Sequence, residues 1–247
     1  MIKTLNGQWQ FRRADEGTFR RATVPGCNFT DLMAEGLIPD PFYGLNERDC
    51  AFVGESDWVY EKSFTVTKNE LSADAIRLCF DMLDTICDVF LNGTLVGKGE
   101  NCHLRYTFDV KDILTEGENT VRVYFYSPVR YVERIYKKEG APMNSNGQNG
   151  IVHIRKPQCH FGWDWGPVLP VSGIGDDIYL EMRSEGKIQE MKIRQKKNDD
   201  GSFTVTVKVD GEEKIDELIA NGFSPLRMQQ SPTLRKHLRN QYPLSSE

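Results

Sequence analysis

A chain of 247 residues with a net charge of −5 has room for one large β-domain or a domain and a half, and lacks the surplus of cations that favours nucleic-acid binding. Hydrophobic residues at 39%, aromatics at 11% and charged residues at 27% are the proportions of a soluble globular protein with a substantial core. No apolar run approaches the ~20 residues of a membrane span, and the opening Met1-Ile2-Lys3-Thr4-Leu5 lacks the apolar segment of a secretory signal. The six cysteines are scattered and form no CxxC pair, so reduced thiols in a cytoplasmic protein are expected, with neither a disulfide frame nor a zinc site.

In chain order, Gly7 to Arg12 reads as a short strand and Val24-Pro25-Gly26 as a turn. Thr30 to Gly36 predicts a short helix with Thr30 as its cap, and Ile38 to Cys50 a long loop of the kind that is often functional. From Trp58 the apolar period becomes 2, predicting strands over Trp58–Val66, Ala75–Asp81 and Thr85–Leu91. Asn92-Gly93 then predicts a tight hairpin, because both residues tolerate positive φ, with Thr94–Gly97 returning as its partner. Strands over Arg105–Val110 and Asn119–Tyr126 follow. Ser127-Pro128 opens an amphipathic surface helix, since a proline at the first helical position loses no needed donor. Gly140 to Gly150 is irregular loop, and Asp177–Arg183 a last strand of the first unit. Many short strands with frequent turns predict an all-β fold, a jelly-roll or β-sandwich, whose loops carry binding residues on a rigid frame.

The character of the chain changes near Ser184. Lys187–Arg194 and Ser202–Val209 alternate around Asn198-Asp199-Asp200-Gly201 and predict the start of a second β domain. The expected division is therefore 1–184 for the first domain, 185–214 for the partial second domain and 215–247 for an irregular tail.

The stretch His160-Phe161-Gly162-Trp163-Asp164-Trp165-Gly166-Pro167 holds two of the four tryptophans with an aspartate between them. An indole supplies an apolar face, and a carboxylate accepts from two neighbouring hydroxyls at once, which is the surface a sugar presents. The same stretch equally fits a Trp-rich turn that closes a β-core, with Asp164 capping a loop. No EF-hand spacing, phosphate loop or nucleophile elbow is present, so no cofactor and no metal are expected.

Four blocks, in order, resemble the N-terminal sugar-binding domain of the β-mannosidases of glycoside hydrolase family 2. They are Val24-Pro25-Gly26-Cys27; Gly36 to Gly44 with Asn46-Glu47; Leu83-Asp84-Thr85 through Asn92-Gly93; and Ile154-Arg155-Lys156 through Pro167. The resemblance spans residues 4–183 and implies a jelly roll of galactose-binding-like type followed by an immunoglobulin-like domain, of which residues 185–214 are the start. It implies retaining hydrolysis of terminal non-reducing β-D-mannose by two glutamates ~5–5.5 Å apart on a (β/α)₈ barrel that this chain lacks, so the chain alone is expected to be inactive. A truncated or frame-altered reading frame is the expectation that accounts for the missing barrel. A second departure is Gly173-Ile174-Gly175-Asp176, where relatives tend to carry Gly-Ile-Trp-Arg.

By the same resemblance, Asp164 accepts from mannose hydroxyls, Trp163 is a stacking wall and Trp165 anchors the loop. His160 is expected to fix the loop, with donation to sugar as its alternative, and Arg155 to pair with a carboxylate. Asn46 and Glu47 are candidates for a second contacting loop, with loop capping as their alternative. The implied partner is a mannose-containing oligosaccharide, with no nucleic acid and no membrane. Further partners expected are the missing catalytic domains or a second copy of the chain. Two other functions are kept open: a free-standing carbohydrate-binding module without catalysis, and the same domain of a β-galactosidase or β-glucuronidase.

Overall fold

The computed structural model describes residues 1–140, 148–164, 166–184, 188–201 and 203–211. The strands in chain order are β1 Ile2–Thr4, β2 Gly7–Arg13, β3 Arg20–Val24, β4 Trp58–Val66, β5 Ala75–Phe80, β6 Cys87–Leu91 and β7 Thr94–Gly99. They continue as β8 Tyr106–Asp109, β9 Gly117–Phe125, β10 Phe161–Trp163, β11 Gly166–Val168, β12 Ile178–Arg183, β13 Ile188–Lys197 and β14 Phe203–Gly211. The helices are α1 Asn28–Ala34, α2 Asn46–Asp49, α3 Ala51–Glu55, α4 Lys68–Leu71 and α5 Pro128–Glu139. The chain divides into two compact units, Met1–Met182 and Arg183–Glu247.

The first unit is a sandwich. One sheet has six strands in the order β3-β2-β4-β9-β6-β7, and the other has four in the order β1-β12-β5-β8. β4 and β9 form the longest central pair, in register from Trp58 opposite Phe125 to Val66 opposite Gly117. Trp9, Phe11, Tyr60, Val89, Val123 and Phe125 on the six-stranded sheet share one buried core with Ile76, Leu78, Phe80, Ile178 and Leu180 on the four-stranded sheet. Alternating burial along β6 (buried Cys87, Val89 and Leu91, half-buried Asp88 and Phe90) is what a strand with one face on a core requires. The all-β galactose-binding-like sandwich expected from the sequence is the fold of this unit.

Local rules place most of the elements. Asn92 (φ 50°) and Gly93 (φ 80°) make the tight turn between β6 and β7, and Asn92 also holds Asn119 with its amide at 2.8 Å. Ser127 caps α5, its hydroxyl accepting from the Arg130 amide at 3.0 Å. α1 starts two residues before the position expected for it. Cys27 is its cap residue, and Thr30, at the third helical position, accepts from the Cys27 amide at 3.2 Å. The long loop after Ile38 carries α2 and α3, which the proline-rich sequence hides. Strands β1 and β3 are short, with few apolar residues, and take their place from pairing with β12 and β2.

In the second unit, β13 and β14 form an antiparallel pair from Ile188 opposite Gly211 to Lys197 opposite Phe203, with a bulge between Ile188 and Glu190. Asn198 and Thr204 exchange side-chain hydrogen bonds at its turn. The expected tail beyond 214 lies outside the described residues.

Candidate functional site

The aromatic stretch forms a hairpin. β10 and β11 pair with Phe161 opposite Val168 and Trp163 opposite Gly166, so a two-residue turn begins at Asp164. Gly162 adopts φ 88°, and a Cβ there would lie 2.7 Å from Val168 Cγ2, so both the backbone angle and the space demand glycine. Trp165 and the anchoring role expected of it lie outside the described residues.

At the tip, Asp164 is exposed and Trp163 is 36% exposed, so the carboxylate and one indole face outward from the fold. At the base, Phe161 is fully buried with Val132, Ile151 and Ile154 in a second, smaller core. The Leu169 amide donates to the His160 carbonyl at 2.9 Å and closes the hairpin's foot.

Beneath that foot lies a buried ion pair. Lys156, its side chain fully enclosed, donates from Nζ to Asp84 Oδ2 at 2.5 Å and to the Val171 carbonyl at 2.9 Å. Asp84 also accepts from the Thr85 hydroxyl through Oδ1, and its backbone exchanges two hydrogen bonds with Gly173, at 2.9 and 3.0 Å. A Cβ at Gly173 would lie 2.4 Å from the Gly26 carbonyl oxygen, so the chain passes too close there for any other residue. Lys156 and Gly173 flank the hairpin on either side, and both are tied to Asp84. One residue therefore fixes the segments that enter and leave the hairpin, Lys156 through its carboxylate and Gly173 through its backbone. Burial lowers the Lys156 pKa against the opposing attraction of Asp84. The geometry supplies the buried Lys156 Nζ with two acceptors, a carboxylate and a main-chain carbonyl.

His160 sits beside this pair, with Nδ1 4.0 Å from Asp84 Oδ2. That nitrogen is buried and makes no hydrogen bond among the described residues. Burial first, then the neighbouring Lys156 cation, lowers its pKa to about 4, so the ring is neutral at pH 7.

Glu47 joins the first long loop to the hairpin: its Oε2 accepts from the Val168 amide at 3.1 Å. Asn46 turns inward on its own loop, donating to the Asp40 carbonyl at 2.9 Å. The two loops share an apolar rim, in which Phe42, Tyr43 and Leu45 are 72%, 77% and 64% exposed and Val168 is 45% exposed. Arg155 is exposed and meets Asn101 through the backbone; among the described residues its side chain has no ion pair. The buried carboxylate nearby, Asp84, pairs with the neighbouring Lys156. Sequence reading missed Asp84 and Lys156 because 72 positions separate them and no spacing rule links them. The available signal was that both residues stand in blocks that carry the family resemblance, Leu83-Asp84-Thr85 and Ile154-Arg155-Lys156.

A two-layer β-sandwich with an acid-and-indole hairpin on its loops defines a galactose-binding-like domain. The chain belongs to the glycosyl hydrolase 2 galactose-binding domain-like family, whose model matches residues 9–176. It is 32% identical over 186 residues to β-mannosidase from Rattus norvegicus and 33% identical over 186 residues to that from Bos taurus. In each case the match covers 72% of this chain and 21% of the relative, so the chain spans about a fifth of the length of these relatives. Its fold superposes on β-D-mannosidase from Dictyoglomus thermophilum with a TM-score of 0.80 at 35% identity, covering 86% of this chain and 26% of that one. A β-glucuronidase from an uncultured Clostridium sp. shares the fold alone, with a TM-score of 0.57 at 19% identity over 87% of this chain and 34% of that one. The chain corresponds to the N-terminal domain of the β-mannosidases it matches.

Proposed function

We propose that this chain is the sugar-binding part of a β-mannosidase that removes terminal non-reducing β-D-mannose. Asp164 receives sugar hydroxyls and Trp163 forms a wall of the pocket. The observation that supports this best is the hairpin itself: an outward carboxylate and indole on a foot locked by a buried ion pair. An exposed acid on a floppy loop would lose to ordering entropy what it gains in hydrogen bonds, and the locked foot avoids that loss. His160 and Glu47 support the hairpin, and in this reading neither touches sugar. Arg155 and Asn46 are lesser candidates for contact at the rim.

The exposed apolar rim around Phe42, Tyr43, Leu45 and Val168 suits burial against further catalytic domains of the polypeptide. In the same reading residues 185–214 open an immunoglobulin-like domain, and the six free cysteines, four of them buried, accord with a reducing cytoplasm. In this reading the barrel that carries the acid and nucleophile also forms the other half of the pocket, so the chain alone binds sugar with an affinity on the order of millimolar and does not hydrolyse it. Calorimetry with methyl β-D-mannoside is expected to give weak binding that Asp164→Ala abolishes, and an aryl β-mannoside assay is expected to show no turnover. Equal binding by Asp164→Ala, or turnover lost on a mutation within this chain, would overturn the reading.

A further inference from the structure

A second cleft, of about 470 Å³, lies between α5 and the ends of β6, β7 and β9, away from the hairpin tip. Its helical wall is one face of α5, with Arg130, Tyr131 and Arg134 at helical spacing after the cap residue Ser127. Its opposite wall carries Asp88, Lys98, Glu100 and Tyr126, and Asp57 lines it beside Arg130. The volume falls in the range of small-molecule sites.

Donors and acceptors alternate around the cleft. Asp88 accepts from the Tyr126 hydroxyl at 2.8 Å and pairs with Lys98 at 3.2 Å, which leaves acceptor capacity on both of its oxygens. The Glu100 side chain makes no ion pair among the described residues. On the helix, Arg130 spends one nitrogen on Asp57 at 2.5 Å. Arg134 lies over the Tyr131 ring at 5.6 Å and has no carboxylate partner among the described residues. The lining therefore carries three carboxylates (Asp57, Asp88, Glu100) interleaved with three cations (Lys98, Arg130, Arg134), with Tyr126 and Tyr131 supplying aromatic surface between them. An anion in the cleft would meet Asp88 and Glu100, and a cation would meet Arg130 and Arg134. A neutral polyol suits both walls, because each hydroxyl donates and accepts, and its C–H face suits a tyrosine ring.

We propose that this cleft is a second carbohydrate subsite that binds a neutral mono- or disaccharide unit. It goes beyond the hairpin reading and is independent of Asp164. The two places are mechanically adjacent, because Ile86 and Tyr131 line the cleft and also pack on the small core that buries Phe161.

The test is a titration of the full, isotopically labelled chain with methyl β-D-mannoside and with β-1,4-mannobiose, followed by NMR to about 100 mM, a range that covers millimolar affinity. The expected result is saturable shifts at Glu100, Tyr126, Tyr131 and Arg134. Glu100→Gln and Arg134→Gln, both at exposed positions where the fold tolerates change, are each expected to weaken the response about tenfold. Asp164→Ala is expected to leave that curve unchanged. Shifts confined to residues 161–168, no cleft shift over the whole range, or indifference to both cleft substitutions would overturn the proposal. So would sodium sulfate reproducing the shifts, which would make the cleft an anion pocket. A cleft response without a hairpin response would sink the hairpin reading and leave this one standing.

Discussion

Lys156 has exchanged bulk water for one carboxylate, Asp84, and one main-chain carbonyl, and neither ion has solvent to fall back on. Removing one member strands the other, at a cost of about 3–5 kcal/mol, whereas replacing both leaves no uncompensated charge. Lys156→Met is therefore expected to lower the urea midpoint sharply, while the double variant Asp84→Asn/Lys156→Met loses less than the sum of its single changes. An additive double variant would show that the two groups do not act as a pair. His160 carries a pH signature of its own. Its folded pKa, about 4, lies below the ordinary 6.5, so between these values the unfolded chain binds more protons than the folded one. Its contribution is fully present above about pH 6.5 and is lost as pH falls toward 4, amounting to at most ~3 kcal/mol. His160→Asn is expected to flatten that part of the profile, measured as the difference between wild type and variant in chemical denaturation from about pH 7 to about pH 4.5. An unchanged slope would mean that the imidazole titrates as freely as in water.

The hairpin β10–β11 has only three residues in each strand and cannot hold itself together. Its order comes from what lies below it: Phe161 in the small core, and the Asp84 contacts on both flanks. Phe161→Ala is expected to cost ~3–5 kcal/mol through the cavity it leaves. Because that cavity opens in the small core, the loss should be local first. Hydrogen exchange at the Leu169 amide is expected to accelerate while amides of β4 and β9 stay protected. Simultaneous loss of protection in both regions would mean that hairpin and sandwich open as one unit. The helix α5 borders the same small core through Val132, so its cap has reach beyond itself. Ser127 also donates to the Gly54 carbonyl at 2.8 Å, which ties α5 to α3. Ser127→Ala is expected to lower stability by ~1–2 kcal/mol, at the upper end for a helix cap, read from the thermal midpoint.

The unit Met1–Met182 has its own continuous core drawn from both sheets, and both candidate sites lie within it. A chain shortened to residues 1–184 is expected to unfold within about 3 °C of the full chain. A large drop would show that the remainder contributes to the sandwich. By contrast β13 and β14 are a single antiparallel pair with Met191, Ile193 and Phe203 exposed at 50%, 56% and 63%, and a lone pair of strands is marginal in water. That part of the chain is accordingly expected to show low hydrogen-exchange protection, which would be contradicted by slow amides over 190–208. Since the chain spans about a fifth of its curated relatives, these experiments address the domain in hand and not a whole glycosidase.

Periodicity, turn chemistry and capping were enough to locate β4 to the residue, the Asn92-Gly93 turn and the start of α5, because each is decided within a few neighbouring residues. The all-β class followed from their repetition, and the sugar-contacting hypothesis from two indoles around one acid. What the sequence left undecided shares one property: it depends on partners far along the chain. β1 is a strand only because β12 lies beside it, and the hairpin stands only because Asp84 reaches Lys156 across 72 positions. The same holds for Arg155 and Lys156, adjacent cations of which folding buries one and leaves the other in water. Local pattern reports which faces are apolar, but the desolvation of a charge and the walls of a cleft exist only once distant segments close on each other.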